Sequence, residues 1–433
     1  MTLNNRLAIF ILCFFAIGSA HAQTSSKPVV NGQRLMQHLQ GLSEFGKNPQ
    51  GGVSRVAYSN ADKQGREYVL QLMRDAGLEV SIDAAGNLVG TRAGSDPSAK
   101  PLLIGSHIDT VPEGGNYDGI VGSLSAIEAA QRVKESGIKL RHPLQVIIFQ
   151  NEEDGHIGSH AVGEGLNEQM LNKTSQSGKT VREGISFIGG DLNKLAAVQR
   201  PAGSIAGYIE LHIEQGSILE QGKIAIGVVT GIVSTLRTDV TIEGIANHAG
   251  ATPMNQRHDT LLSAARFIEK VNQVVTSLPG WQVGTVGWIK ADPGAYNVIP
   301  GKTVLGLELR DLSQDKVAEM YARLQKEANQ IGSLNQTTFS FKEPLQTVPK
   351  LADKSFQDLI DASAKELGLT TTPIPSGGGQ DAQEIANIGP MGMIFIPSVG
   401  GISHSPKEFS RPQDVENGAN VLLRAVIKFD ETH

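Results

Sequence analysis

The sequence predicts an α/β fold: a mostly parallel mixed sheet with helices on both faces, and a smaller α+β unit inserted into it. Three observations predict it. Short continuous apolar runs at 101–105 (PLLIG) and 144–149 (LQVIIF) flank a helical stretch, as strands of a parallel sheet covered on both faces do. From about Thr230 the pattern changes to alternation, clearest at 235–243, which marks a strand with one buried face. After Leu345 the first pattern resumes.

The elements follow in order. The strand at 101–105 runs into a polar loop, and a helix covers 121–135. The strand at 144–149 ends in the acidic loop Asn151-Glu152-Glu153-Asp154-Gly155. In such sheets, sites form where strands end at their carboxyl side, and the acid- and His-rich loops sit there. In the inserted segment, a strand at 235–243 leads to a helix at 260–275. Strands near 282–290 and 303–310, a helix at 314–330 and a strand at 337–342 complete it. That order is a split β-α-β unit on its own sheet. Helices near 353–367 and 412–428 return to the larger unit. The predicted catalytic domain is therefore 23–229 plus 346–433, with 230–345 inserted. No internal repeat interrupts it.

Composition excludes several classes. Of 433 residues, 39% are apolar and 19% charged, enough apolar content to build cores and too little charge for a disordered chain. Lys+Arg 38 against Asp+Glu 44 gives −6, so no basic nucleic-acid footprint and no polybasic membrane patch is present. Residues 1–22 are expected to be a signal peptide. Arg6 gives a positive start, 7–20 is apolar apart from Gly18 and Ser19, and Ala20-His21-Ala22 fits a small-x-small cleavage site. The single cysteine, Cys13, lies inside this segment, so the mature chain would carry no thiol. An exported, periplasmic or secreted, protein is expected, with no membrane attachment after cleavage.

Potential metal ligands and bases lie in loops after the apolar runs: His107, Asp109 and Asp118; Glu152 and Glu153; His212; and His404. Three imidazoles and several carboxylates without a thiolate suit zinc, manganese or cobalt. Two metals about 3.5–4 Å apart need a bridging carboxylate, and Asp118 in Tyr117-Asp118-Gly119 is the candidate. Of Glu152 and Glu153, one can bind metal while the other faces the water as base. Asp109, two residues after His107, is placed to orient that ligand.

These residues carry a resemblance. Gly105-Ser106-His107-Ile108-Asp109-Thr110-Val111-Pro112, Leu211-His212-Ile213-Glu214-Gln215-Gly216, Asn247-His248-Ala249-Gly250-Ala251-Thr252-Pro253-Met254 and Gly400-Gly401-Ile402-Ser403-His404-Ser405-Pro406 occur in order, with Asn151-Glu152-Glu153 among them. The chain resembles the co-catalytic zinc aminoacylase/carboxypeptidase superfamily. Within it, the chain is most similar to the hydantoinase/carbamoylase branch of N-carbamoyl-L-amino acid hydrolases, beta-ureidopropionases and allantoate amidohydrolases.

The resemblance implies that His107, Asp118 and His212 bind one divalent ion and Asp118, Glu153 and His404 a second, zinc first among the choices. It implies Glu152 as general base and Gln215 as a contact to the ureido or amide group. It makes the inserted domain a ferredoxin-like lid and dimerisation domain, whose His248 stabilises the oxyanion in the partner's site. Asn297 and Arg310 match positions that bind the substrate carboxylate. Arg310 offers a planar fork suited to that group. The branch usually reads Ser-Gly-Ala-Gly-His-Asp-Ala, and this chain reads Ser376-Gly377-Gly378-Gly379-Gln380-Asp381-Ala382. Gln380 keeps hydrogen-bonding capacity but cannot carry a proton. The glycines, Gly378 among them, can present backbone N–H groups to a carboxylate.

The expected function is a dimeric two-metal hydrolase of the carbamoyl or amide C–N bond in an N-carbamoyl-L-amino acid or a ureido acid such as allantoate. The alternative is an aminoacylase or dipeptidase acting on N-acyl amino acids or small peptides. A binding protein that only retains the fold is disfavoured, because it has no need of Glu152.

Overall fold

The computed structural model describes residues 27–433; the expected signal segment 1–22 lies outside them. The larger unit is built on a nine-stranded mixed sheet. At its centre four strands run parallel, in the order Leu144–Phe149, Leu102–His107, Gly207–Ile213 and Met391–Ile396. On one flank Leu88–Arg92 pairs antiparallel with Leu144–Phe149, and Glu79–Ile82 closes the edge. On the other, Ile226–Ile232 runs antiparallel to Met391–Ile396.

The apolar runs alternate between two buried cores. Leu102, Ile104, Val146, Ile148, Ile209, Leu211, Ile394 and Ile396 face one side, where helices Gly32–Ser43, Ile120–Glu135, Lys354–Glu366 and Pro412–Thr432 pack. Leu103, Ile147, Phe149, Tyr208, Met393 and Phe395 face the other, against Ala161 and Val162 of helix Ile157–Gly163 and Ile385 of helix Asp381–Ile385. Both faces are covered, which is why apolar residues of these strands point both ways instead of alternating with polar ones. The chain before residue 101, given no elements from sequence, supplies two helices, Gly32–Ser43 and Asn60–Asp75, and the hairpin at the sheet edge. Its strands are short and only partly buried, so their periodicity is weak.

The smaller unit has its own antiparallel sheet, in the order Thr338–Phe341, Ser234–Glu243, Lys302–Asp311 and Val283–Asp292. Helices Thr260–Thr276 and Gln314–Asn335 pack on one face. Asp259 and Ser313 cap their first turns by accepting backbone N–H groups. The sheet boundaries differ by a few residues from those read in the sequence. Strand Ile226–Ile232 still belongs to the large sheet, the small one begins at Ser234, and Leu345–Gln346 pairs with it. Only Val233 separates the two strands, so no turn residues announce the crossing.

Phe267 is fully buried in the small unit's core, with its ring 5.6 Å from Phe339 and 6.1 Å from Phe341. Phe267→Ala is expected to lower stability by about 3–5 kcal/mol, seen in denaturant melts as early loss of this unit.

Candidate metal centre

The four parallel strands deliver their carboxyl ends to one place. His107 ends its strand level with Phe149, and His212 lies level with Phe395. The loops that follow carry Asp109 and Asp118, Glu152 and Glu153, Gln215, and His404. Their donor atoms form two groups, His107–Asp118–His212 and Asp118–Glu153–His404. Asp118 is shared and buried. Its Oδ1 lies 3.0 Å from His212 Nε2 and 4.0 Å from His107 Nε2. Its Oδ2 lies 3.0 Å from His404 Nε2. Glu153 Oε2 stands 3.6 Å from His404 Nε2. Of the adjacent acids, Glu153 therefore joins a group and Glu152 joins neither.

The imidazoles are aimed by their far nitrogens. His107 Nδ1 donates to the Asp109 carbonyl at 3.0 Å, and His212 Nδ1 to the Ile213 carbonyl at 2.9 Å. A carbonyl only accepts, so Nδ1 carries a proton and Nε2 is the nitrogen turned inward. Asp109 thus orients His107 through its backbone. Its carboxylate stands 3.8 Å from the ring and instead accepts the amides of Glu152 and Glu153 at 3.3 and 3.2 Å. One residue ties two ligand loops together.

Sequence reading passed over Glu408, which accepts the amides of Tyr117 and Asp118 at 2.9 and 3.0 Å and the Ser403 hydroxyl at 2.8 Å. Nothing but its place shortly after His404 signals that role.

Electrostatics favour a cation here. Burial pushes Glu153 well above the usual carboxylate range, and the neighbouring Asp118, Glu152 and Asp109 add to it. Burial, against the pull of His107, holds Asp109 up to about 6. For Asp118 burial is outweighed by hydrogen bonds to His212 and His404, which hold it well below the usual range. For His212 burial is outweighed by Asp118 and Glu210, and its pKa rises to about 9. Oxygen and imidazole donors without a thiolate, converging on a shared carboxylate, fit divalent ions.

A cleft of about 790 Å³ opens over these groups. Gln215 points into it, with Nε2 2.9 Å from Asp118 Oδ2. Arg310 reaches it from the small sheet, its Nε donating to Glu308 at 2.7 Å and its Nη1 to the Gly377 carbonyl at 2.6 Å. Arg237, not singled out in the sequence, shares Glu308 and also lines the cleft. Gly378 and Gln380 form the facing wall, and the Gln380 Oε1 is buried without a partner. None of Gly377, Gly378 and Gly379 has a positive φ, so this is not an αR–αL nest. The approach is close: a Cβ on Gly378 would stand 3.2 Å from the Gln215 Oε1, which would have to give way slightly. His248 and Asn297 do not line the cleft. Both are exposed: His248 lies in the small antiparallel pair Asn247–His248 and Val298–Ile299, and Asn297 immediately precedes that pair, its carbonyl accepting the Ala249 amide at 3.0 Å.

The family model for peptidase family M20/M25/M40 matches residues 103–428. The chain belongs to this family. The M20 family is metal-dependent, and its members include the relatives that this chain matches along most of its length. An N-carbamoyl-L-amino acid amidohydrolase of Geobacillus stearothermophilus is 36% identical over 403 residues, covering 92% of this chain and 98% of that protein. A ureidoglycolate hydrolase of Arabidopsis thaliana is 37% identical, covering 92% and 87%. A hydantoinase/carbamoylase family amidase structure from Burkholderia multivorans superposes with a TM-score of 0.87 at 33% identity, covering 93% and 98%.

Gly119 is the sharpest local constraint on this M20 centre. It has φ 67, and a Cβ on it would run into the His107 ring. Gly119→Ala is expected to displace His107 and weaken metal retention by about 10-fold or more. Gly137→Ala, at φ 66 with open space around it, carries the same backbone strain without the collision. Metal content after dialysis checks this: equal retention in the two variants would refute it.

Proposed function

We propose that this chain is a two-metal amidohydrolase that cleaves the carbamoyl or amide C–N bond of an N-carbamoyl-L-amino acid or a ureido acid such as allantoate. One observation carries the reading: Asp118 stands 3.0 Å from a histidine of each group, while Glu152 stands 3.8 Å from His107 and belongs to neither group. His107, Asp118 and His212 would hold one ion and Asp118, Glu153 and His404 the other, with zinc favoured over manganese or cobalt. Bound ions supply Lewis acidity toward the scissile carbonyl and make water more acidic.

The chain's own groups do the rest. Glu152 takes a proton from the attacking water and passes it to the leaving nitrogen. His248 Nδ1 accepts the amides of Gly250 and Ala251, each at 3.1 Å. Its proton therefore sits on Nε2, which is left to donate to the developing oxyanion. Arg310 and Asn297 take the substrate carboxylate, Gln215 the ureido or amide group, and the Gly378–Gln380 wall closes the other side.

His248 and Asn297 would reach a site by domain closure or from a second subunit. The small sheet's edge strand Val283–Asp292, with Trp288 and Ile289 exposed, supports pairing of two copies through this unit. The apolar start of the sequence, with its small-residue cleavage site, supports export to the periplasm or medium. Gln380 favours a second reading on N-acyl amino acids or dipeptides, because an amide replaces the branch's usual imidazole. Turnover of metal-loaded protein on allantoate, N-carbamoyl amino acids, N-acyl amino acids and dipeptides separates the two. No turnover of any carbamoyl or ureido acid would overturn the first.

Glu152→Gln is expected to keep both metals and lose about 10²–10⁴-fold in turnover. Metal analysis beside kinetics checks it, and unchanged turnover would remove Glu152 as base. His248→Ala is expected to lose about 10²–10³-fold without losing metal. If His248 acts across the dimer, mixing it with Glu152→Gln chains restores activity, because one site then has both groups intact. Heterodimers without rescue would leave closure within one chain.

A further inference from the structure

Three imidazoles line the cleft: His212, His404 and His156. The first two belong to the metal groups, and the third does not. His156 is fixed by unusual means. It has φ 54 and ψ 32, the left-handed region that side-chain-bearing residues seldom occupy and that persists where the surroundings enforce it. Its amide donates to the Glu152 carbonyl at 2.8 Å, closing a tight turn. That turn brings its Nε2 to 3.2 Å from Glu152 Oε1.

Glu152's other oxygen, Oε2, lies 3.8 Å from His107 Nε2. The carboxylate is thus spanned, with one oxygen on His156 and one toward the metal groups. The facing wall makes room for the ring. A Cβ on Gly379 would stand 2.7 Å from His156 Cε1 and 2.9 Å from Nε2, so only glycine lets the imidazole stand there. The next histidine on the same helix, His160, is engaged elsewhere, 2.8 Å from Glu384.

We propose that His156 is a positioning residue for the general base: it grips Oε1 of Glu152 and turns Oε2 toward the water held at the metal groups. The inference rests on Glu152 being the base, as proposed above. A carboxylate free to rotate would present its lone pair to the water only part of the time. Holding one oxygen fixes the other.

Two variants test it. His156→Asn suits the left-handed turn, which Asn tolerates, but is too short to reach Glu152. His156→Gln keeps a donor at similar reach. With metal content and melting temperature unchanged, His156→Asn is expected to lower kcat about 10²-fold, the scale of a small misplacement, with KM little changed. His156→Gln is expected to recover most of that loss. In a Glu152→Gln background the Asn substitution is expected to cost less than about 2-fold, because coupled residues are not additive.

A readout without metal accompanies these. In metal-free protein, Glu152→Gln is expected to shift the His156 ring ¹⁵N resonances, and Glu384→Gln to shift those of His160 instead. Full kcat in His156→Asn, equal losses for Asn and Gln, or the same 10²-fold loss in the Glu152→Gln background would each overturn the proposal. Glu152→Gln turning over at the wild-type rate would remove the base reading itself. An inactive Glu152→Gln beside a fully active His156→Asn would remove only the positioning role.

Discussion

The carboxylate of Asp118 is 4% exposed as a residue, and a buried charge is costly unless it is paired and hydrogen-bonded. Everything around it answers that requirement. His212 and His404 approach its two oxygens, and Gln215 donates to one of them. Glu408 holds the backbone of Tyr117 and Asp118 from below. Four strands have to end at one level for these groups to meet, which the parallel register of the central sheet supplies. The same shared carboxylate makes the two donor groups one centre.

Rigidity around that point comes from backbone atoms. Carbonyls of Asp109 and Ile213 fix the tautomers of two imidazoles, and the Asp109 carboxylate clamps the Glu152–Glu153 loop through its amides. Such contacts hold ligands in place before any ion arrives, so little reorganisation is left to oppose binding. The clustered acids are the corresponding cost. Glu153 rises well above its usual range because burial and three neighbouring carboxylates disfavour its charge. A divalent ion reverses that balance.

The small unit meets this centre by a narrow connection. Arg310 donates to the Gly377 carbonyl across the cleft, while Glu308 shares itself between Arg310 and Arg237. The cleft thus has an acidic floor that favours cations and a guanidinium-bearing wall that favours a carboxylate. His248 and Asn297, carried on the same unit, stand outside the cleft.

The sequence by itself determined the presence of two sheets, the order of the elements within the inserted unit and the identity of the converging side chains, while the elements before residue 101 and the strands Gly207–Ile213 and Met391–Ile396 went unread. Those features follow from local periodicity and from residue type, as in the mostly apolar run of 144–149 and the alternation of 235–243. Residue type also narrowed Glu152 and Glu153 to one ligand and one base. The family resemblance put Glu153 with the ligands, and the turn after Phe149 is what brings its carboxylate to Asp118 and His404. The fold also decided how Asp109 orients His107, through its carbonyl while its carboxylate stands 3.8 Å away. Glu408, His156 and Arg237 were illegible for the same reason. Glu408 and His156 lie in loops whose paths have no periodicity to read, and Arg237 meets Glu308 only through the register of two strands, so each looks like ordinary surface until its neighbours are known.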